Sequence, residues 1–226
     1  MKAKEPFVFS NLAISIDGKI ATQGREFFTI GSAADLRLLR KLRDRADVIL
    51  FGAEVLRVFQ KACLPLDPDA EITNAVLSRN LKGIDPNWPF FKSPRIRRIL
   101  YVTGKVSAAR LAEFRKTSEV VQIPAPNPAR AILADLRKRK AKRVGVEGGG
   151  AIMWEFVKSN LIDEYYLTIV PRILGGGLAP TLVDGTGFKF SEVLNLRLKS
   201  IRKKGSELFL VYTPLGTRGH KHPLFK

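Results

Sequence analysis

Apolar positions fall into two rhythms along the chain. Compact runs rich in β-branched and aromatic residues lie at Phe7 to Ile16, Asp47 to Phe51, Asn74 to Leu77, Arg98 to Val102, Val120 to Ile123, Val144 to Val146 and Asp163 to Val170. They are too short for helices and predict strands. Between them the spacing turns helical. Leu36, Leu39 and Leu42 recur every three residues within Ser32 to Arg45, with arginines on the other face. Ser32 is a plausible N-cap, and Asp35 follows as in a capping box. Further helices are expected over Ala53 to Lys61, Ala108 to Arg115, Ala129 to Lys140 and Ala151 to Ser159. Pro65 and Pro68 mark one loop, Pro86, Pro89 and Pro94 a second, and a Gly/Pro-rich stretch runs from Val170 to Gly187.

Strands joined by helices predict an α/β fold with a mostly parallel central sheet flanked by helices. The last two strand-like runs, Val193 to Ile201 and Leu208 to Tyr212, have no helix between them. They predict an antiparallel C-terminal edge. No repeat or linker interrupts the pattern, so one domain is expected over 1–215, with a flexible basic tail over 216–226.

Composition narrows the chemistry. A single cysteine, Cys63, excludes an intrachain disulfide and a multi-cysteine zinc site. The only histidines, His220 and His222, lie near the C-terminus, so no histidine-based catalysis or metal site is expected in the core. The chemistry must run on carboxylates, basic side chains, backbone amides or a bound cofactor. No apolar run approaches the roughly 18 residues of a membrane span. Met1 to Pro6 is charged and leads straight into a strand, so no signal peptide is expected and the location is expected to be cytoplasmic.

With 39 basic and 21 acidic residues the formal charge is +18, which implies anionic partners. The basic residues are dispersed and accompany no nucleic-acid module. Nucleic acid is therefore expected to bind only through non-specific charge attraction.

Three segments carry candidate chemistry. Val144-Gly145-Val146-Glu147-Gly148-Gly149-Gly150-Ala151 is a strand, a glycine run and a helix start. Glycine lets amides approach a phosphate and the helix dipole adds partial positive charge. A tight strand-to-helix turn is the alternative, but three glycines exceed what a turn requires. Glu147 stands at the C-terminal end of a parallel strand, where α/β proteins bind ligands. Ser15-Ile16-Asp17-Gly18-Lys19 ends the first strand and in isolation is an ordinary turn. Gly175-Gly176-Gly177 is a second glycine triplet, either a mobile loop or a close approach to a ligand.

Together these segments resemble the riboflavin-biosynthesis reductases, which have a dihydrofolate-reductase-like fold. The similarity runs through Asn11 to Ala21, Leu39 to Ala53, Val146 to Gly150 with Leu161 to Glu164, and Pro171 to Gly177. It covers roughly residues 7–212. The resemblance implies a homodimer that uses NADPH to reduce the ribosyl group of a ribosylamino-pyrimidine 5′-phosphate to ribityl. By carry-over, Gly148, Gly149, Gly150 and Ala151 would cradle the cofactor pyrophosphate. Ser78 and Arg79 would meet its 2′-phosphate. Asp17 and Glu147 would line the substrate side as the catalytic carboxylates, with Ser15, Lys19 and Arg43 binding substrate. Arg43 reads equally as one more arginine on an exposed helix. The dimer would join at the apolar strands Tyr165 to Val170 and Leu208 to Tyr212, near a sheet edge.

The chain departs from the family where Thr and Asp are expected after the second strand-helix junction, for it carries Val55 and Phe59. Either Arg57 and Ser78 compensate, or cofactor affinity falls, or the substrate differs. The family's deaminase half needs a His/Cys zinc site, which these residues cannot supply. Two other readings remain. One is a dihydrofolate-reductase-like enzyme for another pteridine or pyrimidine. The other is a basic nucleic-acid-binding protein that kept the fold and lost the activity.

Overall fold

The computed structural model describes residues 4–26 and 28–216. The basic tail beyond Gly216, with His220 and His222, lies outside the described residues. The chain forms two compact units, Met1–Pro6 with Arg40–Gly145 and Phe7–Leu39 with Val146–Lys226. Nine strands, mostly parallel with an antiparallel edge, are found among the described residues. None of the described helices is long and apolar enough to cross a membrane.

The first unit holds β2 (Val48–Gly52), α2 (Ala53–Phe59), β3 (Ile72–Ser78), α3 (Pro89–Lys92), β4 (Ile96–Val102), α4 (Ala108–Arg115), β5 (Glu119–Gln122) and α5 (Pro128–Lys138). It also holds most of β6 (Arg143–Val146). Its strands run in the order β5-β4-β3-β2-β6. The β2–β3, β3–β4 and β4–β5 pairings are all parallel. Ile49, Leu50, Ala75, Val76, Leu100 and Tyr101 are fully buried. Consecutive residues of these strands are buried, so both faces are covered, which explains runs with no polar alternation.

Asp47 sets the register at one end of this unit, its carboxylate accepting the Lys142 and Arg143 amides at 2.6 and 2.8 Å. The proline-marked stretch over 86–94, expected as a loop, contains the short helix α3. Pro89 presets the first helical φ, and Phe90 and Phe91 are driven inward. Their rings join Phe51 and Phe114 in a chain of contacts with centroids 4.9–6.0 Å apart.

The second unit holds β1 (Phe7–Ser15), most of α1 (Ala33–Arg43), α6 (Gly150–Val157), β7 (Glu164–Val170), β8 (Leu196–Lys204) and β9 (Glu207–Pro214). Its strand order is β1-β7-β9-β8, the first pair parallel and the others antiparallel. Asp163 starts β7 in register, because its carboxylate accepts the Val8 amide while its own amide donates to Val8 O, each at 2.7 Å.

Ser32 does begin α1, with its hydroxyl accepting the Ala34 amide. The reciprocal partner differs from the expected Asp35. Glu207 accepts the Ser32 amide at 2.8 Å and the Ser32 hydroxyl at 2.6 Å. Asp35 is buried instead, and burial raises its pKa.

The two apolar strands expected at the edge are interior. Tyr165 to Ile169 pair with Leu208 to Tyr212, and β8 takes the edge. All nine residues of β8 are exposed, including Leu196, Leu198 and Ile201.

Candidate active site

In the second unit, the ends of β1, β6 and β7 bring three loops together. The Lys19 backbone forms an isolated antiparallel bridge with Thr181. Ile16 N donates to Arg172 O and Ile20 N to Pro180 O, both at 2.9 Å. The Lys19 ammonium donates to Ala179 O at 3.4 Å. Asp184 N donates to Gly150 O at 3.0 Å, and its carboxylate accepts the Thr181 amide and hydroxyl. Ser15, Asp17, Lys19 and the glycine loop thus share one cluster of loops. Asp184 was missed from sequence, although Thr181-Leu182-Val183-Asp184 is a usable side-chain turn signal.

The first glycine triplet is the start of α6. Gly149 is its N-cap and no side chain caps the first turn. The early amides therefore keep their capacity for an anion. Two of the three glycines also have intramolecular reasons to be there. At Gly148, with φ +89°, a Cβ would lie 2.9 Å from Leu12 Cδ2. At Gly150 it would lie 2.2 Å from Asp184 Oδ2 and 2.7 Å from Thr181 O. Glu147, half-buried, leads directly into this loop.

Asp17 is exposed, yet both its oxygens are engaged. Oδ1 accepts the Leu174 amide at 3.1 Å and Oδ2 the Gly175 amide at 2.7 Å. Its pKa is lowered to about 2, first by the Ser15 hydroxyl and then by these two amides. Ser15 is fully buried and its oxygen accepts the Lys19 amide at 2.9 Å. Ser15 and Asp17 therefore brace loops.

In the first unit, β3 ends in a loop closed on every side. The Ser78 hydroxyl is buried and accepts the Leu81 amide at 3.0 Å. Arg79 O accepts the Gly104 amide at 2.7 Å. Arg110 donates to the Leu81 and Ile84 carbonyls. From this fixed loop the Arg79 side chain extends into solvent. Arg57, the residue weighed as a substitute for the contacts expected at Val55 and Phe59, is engaged within the first unit. Its guanidinium donates to Lys82 O at 2.7 Å and pairs with Glu54 at 2.7 Å. Arg43, half-buried, donates to Leu64 O at 3.1 Å, so it anchors a loop of its own unit.

An α/β fold with a mostly parallel sheet, loops gathered at strand ends and an uncapped helix start is an arrangement that suits an anionic small molecule. The chain belongs to the RibD C-terminal domain family, whose model matches residues 6–210. It is 30% identical over 81% of its length to the 2,5-diamino-6-ribosylamino-4(3H)-pyrimidinone 5′-phosphate reductase of Archaeoglobus fulgidus, of which it covers 88%. The enzyme of the same name from Methanothermobacter thermautotrophicus is 29% identical over 93% of the chain and 99% of that relative. Among solved structures, a pyrimidine reductase-like protein from Corynebacterium diphtheriae matches with a TM-score of 0.78 at 21% identity, over 94% of this chain and 93% of that one. RibD of Acinetobacter baumannii matches with a TM-score of 0.76 at 18% identity, over 94% of this chain and 59% of that one. These two likenesses establish the shared fold.

Proposed function

We propose that this chain is an NADPH-dependent reductase of riboflavin biosynthesis, converting the ribosyl group of a ribosylamino-pyrimidine 5′-phosphate into a ribityl chain. Its curated relatives bear the name of that phosphate reductase. The observation that carries the reading is the uncapped start of α6 behind Gly148 and Gly149.

In the second unit, the first-turn amides of Gly150 and Ala151 would hold the pyrophosphate, with the positive end of the helix dipole behind them. In the first unit, Arg79 is the guanidinium for a 2′-phosphate, and Ser78 shapes the loop that displays it. When bound, the nicotinamide supplies the hydride, so the reaction asks no nucleophile of the chain. Glu147 orients the substrate ring or ribose by accepting hydrogen bonds. Lys19, held by its backbone against Thr181, offers its charge to the substrate phosphate. Two copies join through the exposed apolar edge of β8, and the enzyme works in the cytoplasm.

The deciding experiment titrates the protein with NADPH and NADH, then assays it on ribosylamino-pyrimidine 5′-phosphates before and after deamination of the ring. Tighter NADPH binding and ribityl product are expected. No cofactor binding, or binding without turnover on either substrate, would refute the reading. Sedimentation of a monomer at micromolar concentration would refute the dimer.

A further inference from the structure

We propose that Asp17 is a positioning residue: its carboxylate holds the Leu174–Gly175 backbone in place and acts on the substrate through that loop, without touching the substrate itself. The nature of the ligand rests on the reductase reading above; the latch does not.

Two successive amides converging on one carboxylate are the arrangement by which a backbone binds an anion. Here the anion is internal, since Asp17 fills both donors. The second glycine triplet is therefore not a phosphate cradle. The flanks of the loop are pinned by backbone bonds at Arg172 and Pro180. Between them, Gly175 and Gly176 adopt φ of +65° and +81°, and glycine at such angles is held by its bonds rather than by sterics. Asp17 supplies those bonds from a chain segment 157 positions away from Leu174.

The stretch so held faces open space. A Cβ built at Gly175 or Gly177 meets nothing. Ile173 and Leu178, on either side, are 77% and 79% exposed. An apolar pair flanking a bare backbone strip suits a heterocyclic ring, which can lie on the strip and exchange hydrogen bonds with it.

The test compares wild type with Asp17→Ala, Asp17→Asn and Asp17→Glu. Asp17 is exposed, so the variants should fold. Amide exchange at Leu174 and Gly175, read by NMR, should speed up by about tenfold or more in Asp17→Ala. Tryptic cleavage after the exposed Arg172 should accelerate in parallel. In steady state, Asp17→Asn should raise KM for the ribosylamino-pyrimidine phosphate by about tenfold, with kcat and NADPH affinity little changed and Asp17→Glu partly restoring KM. Unchanged exchange in Asp17→Ala would overturn the latch whatever the enzyme's activity. Faster exchange with unchanged KM would overturn the loop's role toward substrate. A collapse of kcat with KM and exchange unchanged would place Asp17 at the reacting atoms and overturn the proposal. An inactive wild type would count against the reductase reading alone, and the exchange measurement would still decide the latch.

Discussion

At Gly148 and Gly150 a side chain would run into Leu12, Asp184 and the Thr181 backbone, whereas at Gly175 and Gly177 it would meet only solvent. The two triplets have the same three letters and lie in the same unit. In the first, packing around the start of a helix demands glycine at Gly148 and Gly150, and at Gly148 the positive φ demands it too. In the second, it is demanded by backbone conformation at Gly175 and Gly176, while nothing within the protein accounts for Gly177. A run of glycines thus reports either that a side chain has no room or that the backbone takes a conformation only glycine adopts readily, and only the surroundings tell which.

The comparison breaks most readily at Gly150. Gly150→Val forces a branched side chain against Asp184 and the Thr181 carbonyl, and should cost about 3 kcal/mol or more of stability. Chemical denaturation checks this, and a stability near wild type would remove the packing argument. Pairing the small variant Gly150→Ala with Asp184→Ala sharpens it. The two changes should be non-additive by about 0.5 kcal/mol or more, since the second removes two of the three atoms the first would strike.

The proposed choice of NADPH over NADH rests on Arg79. Arg79→Ala should weaken NADPH by about 1.5–3 kcal/mol and leave NADH nearly unchanged. Equal losses, measured by titration calorimetry, would detach Arg79 from the 2′-phosphate. At the other triplet, Gly177→Ala should change stability by no more than about 0.5 kcal/mol. A raised KM without a fall in Tm would mark Gly177 as a ligand contact.

The smallest effect is a titration. Asp17 has its pKa depressed from 3.8 to about 2, so its bonds to the loop are complete above 3.8 and are lost as the pH falls through about 2. The Gly175 amide resonance should therefore hold still from neutral pH down to about 4 and move only below it. A midpoint at or above 3.8 would describe a carboxylate free of the amides.

Much of the architecture was legible in the residues. The compact apolar runs became β1 to β7, and Ala108–Arg115 became α4 as expected. Asp47 and Asp163, which stand in the segments that resemble the family, proved to set strand register through backbone amides. The gathering of Ser15, Asp17 and Lys19 was legible as a motif. That two of the three brace loops was not, because a carboxylate at a turn carries no mark of what it will accept from.

Local order in this chain follows from neighbours in sequence. Leu36, Leu39 and Leu42 share a helix face because of the helical period, and Pro89 starts a turn because its ring presets φ. The partners of the charged and polar groups follow from nothing local. Glu207 rather than Asp35 completes the cap at Ser32 across 175 positions, and Asp17 meets Leu174 across 157. A buried or bridging carboxylate takes whichever donors the packed chain brings within about 3 Å, and that proximity exists only once β1, β7 and β9 lie side by side.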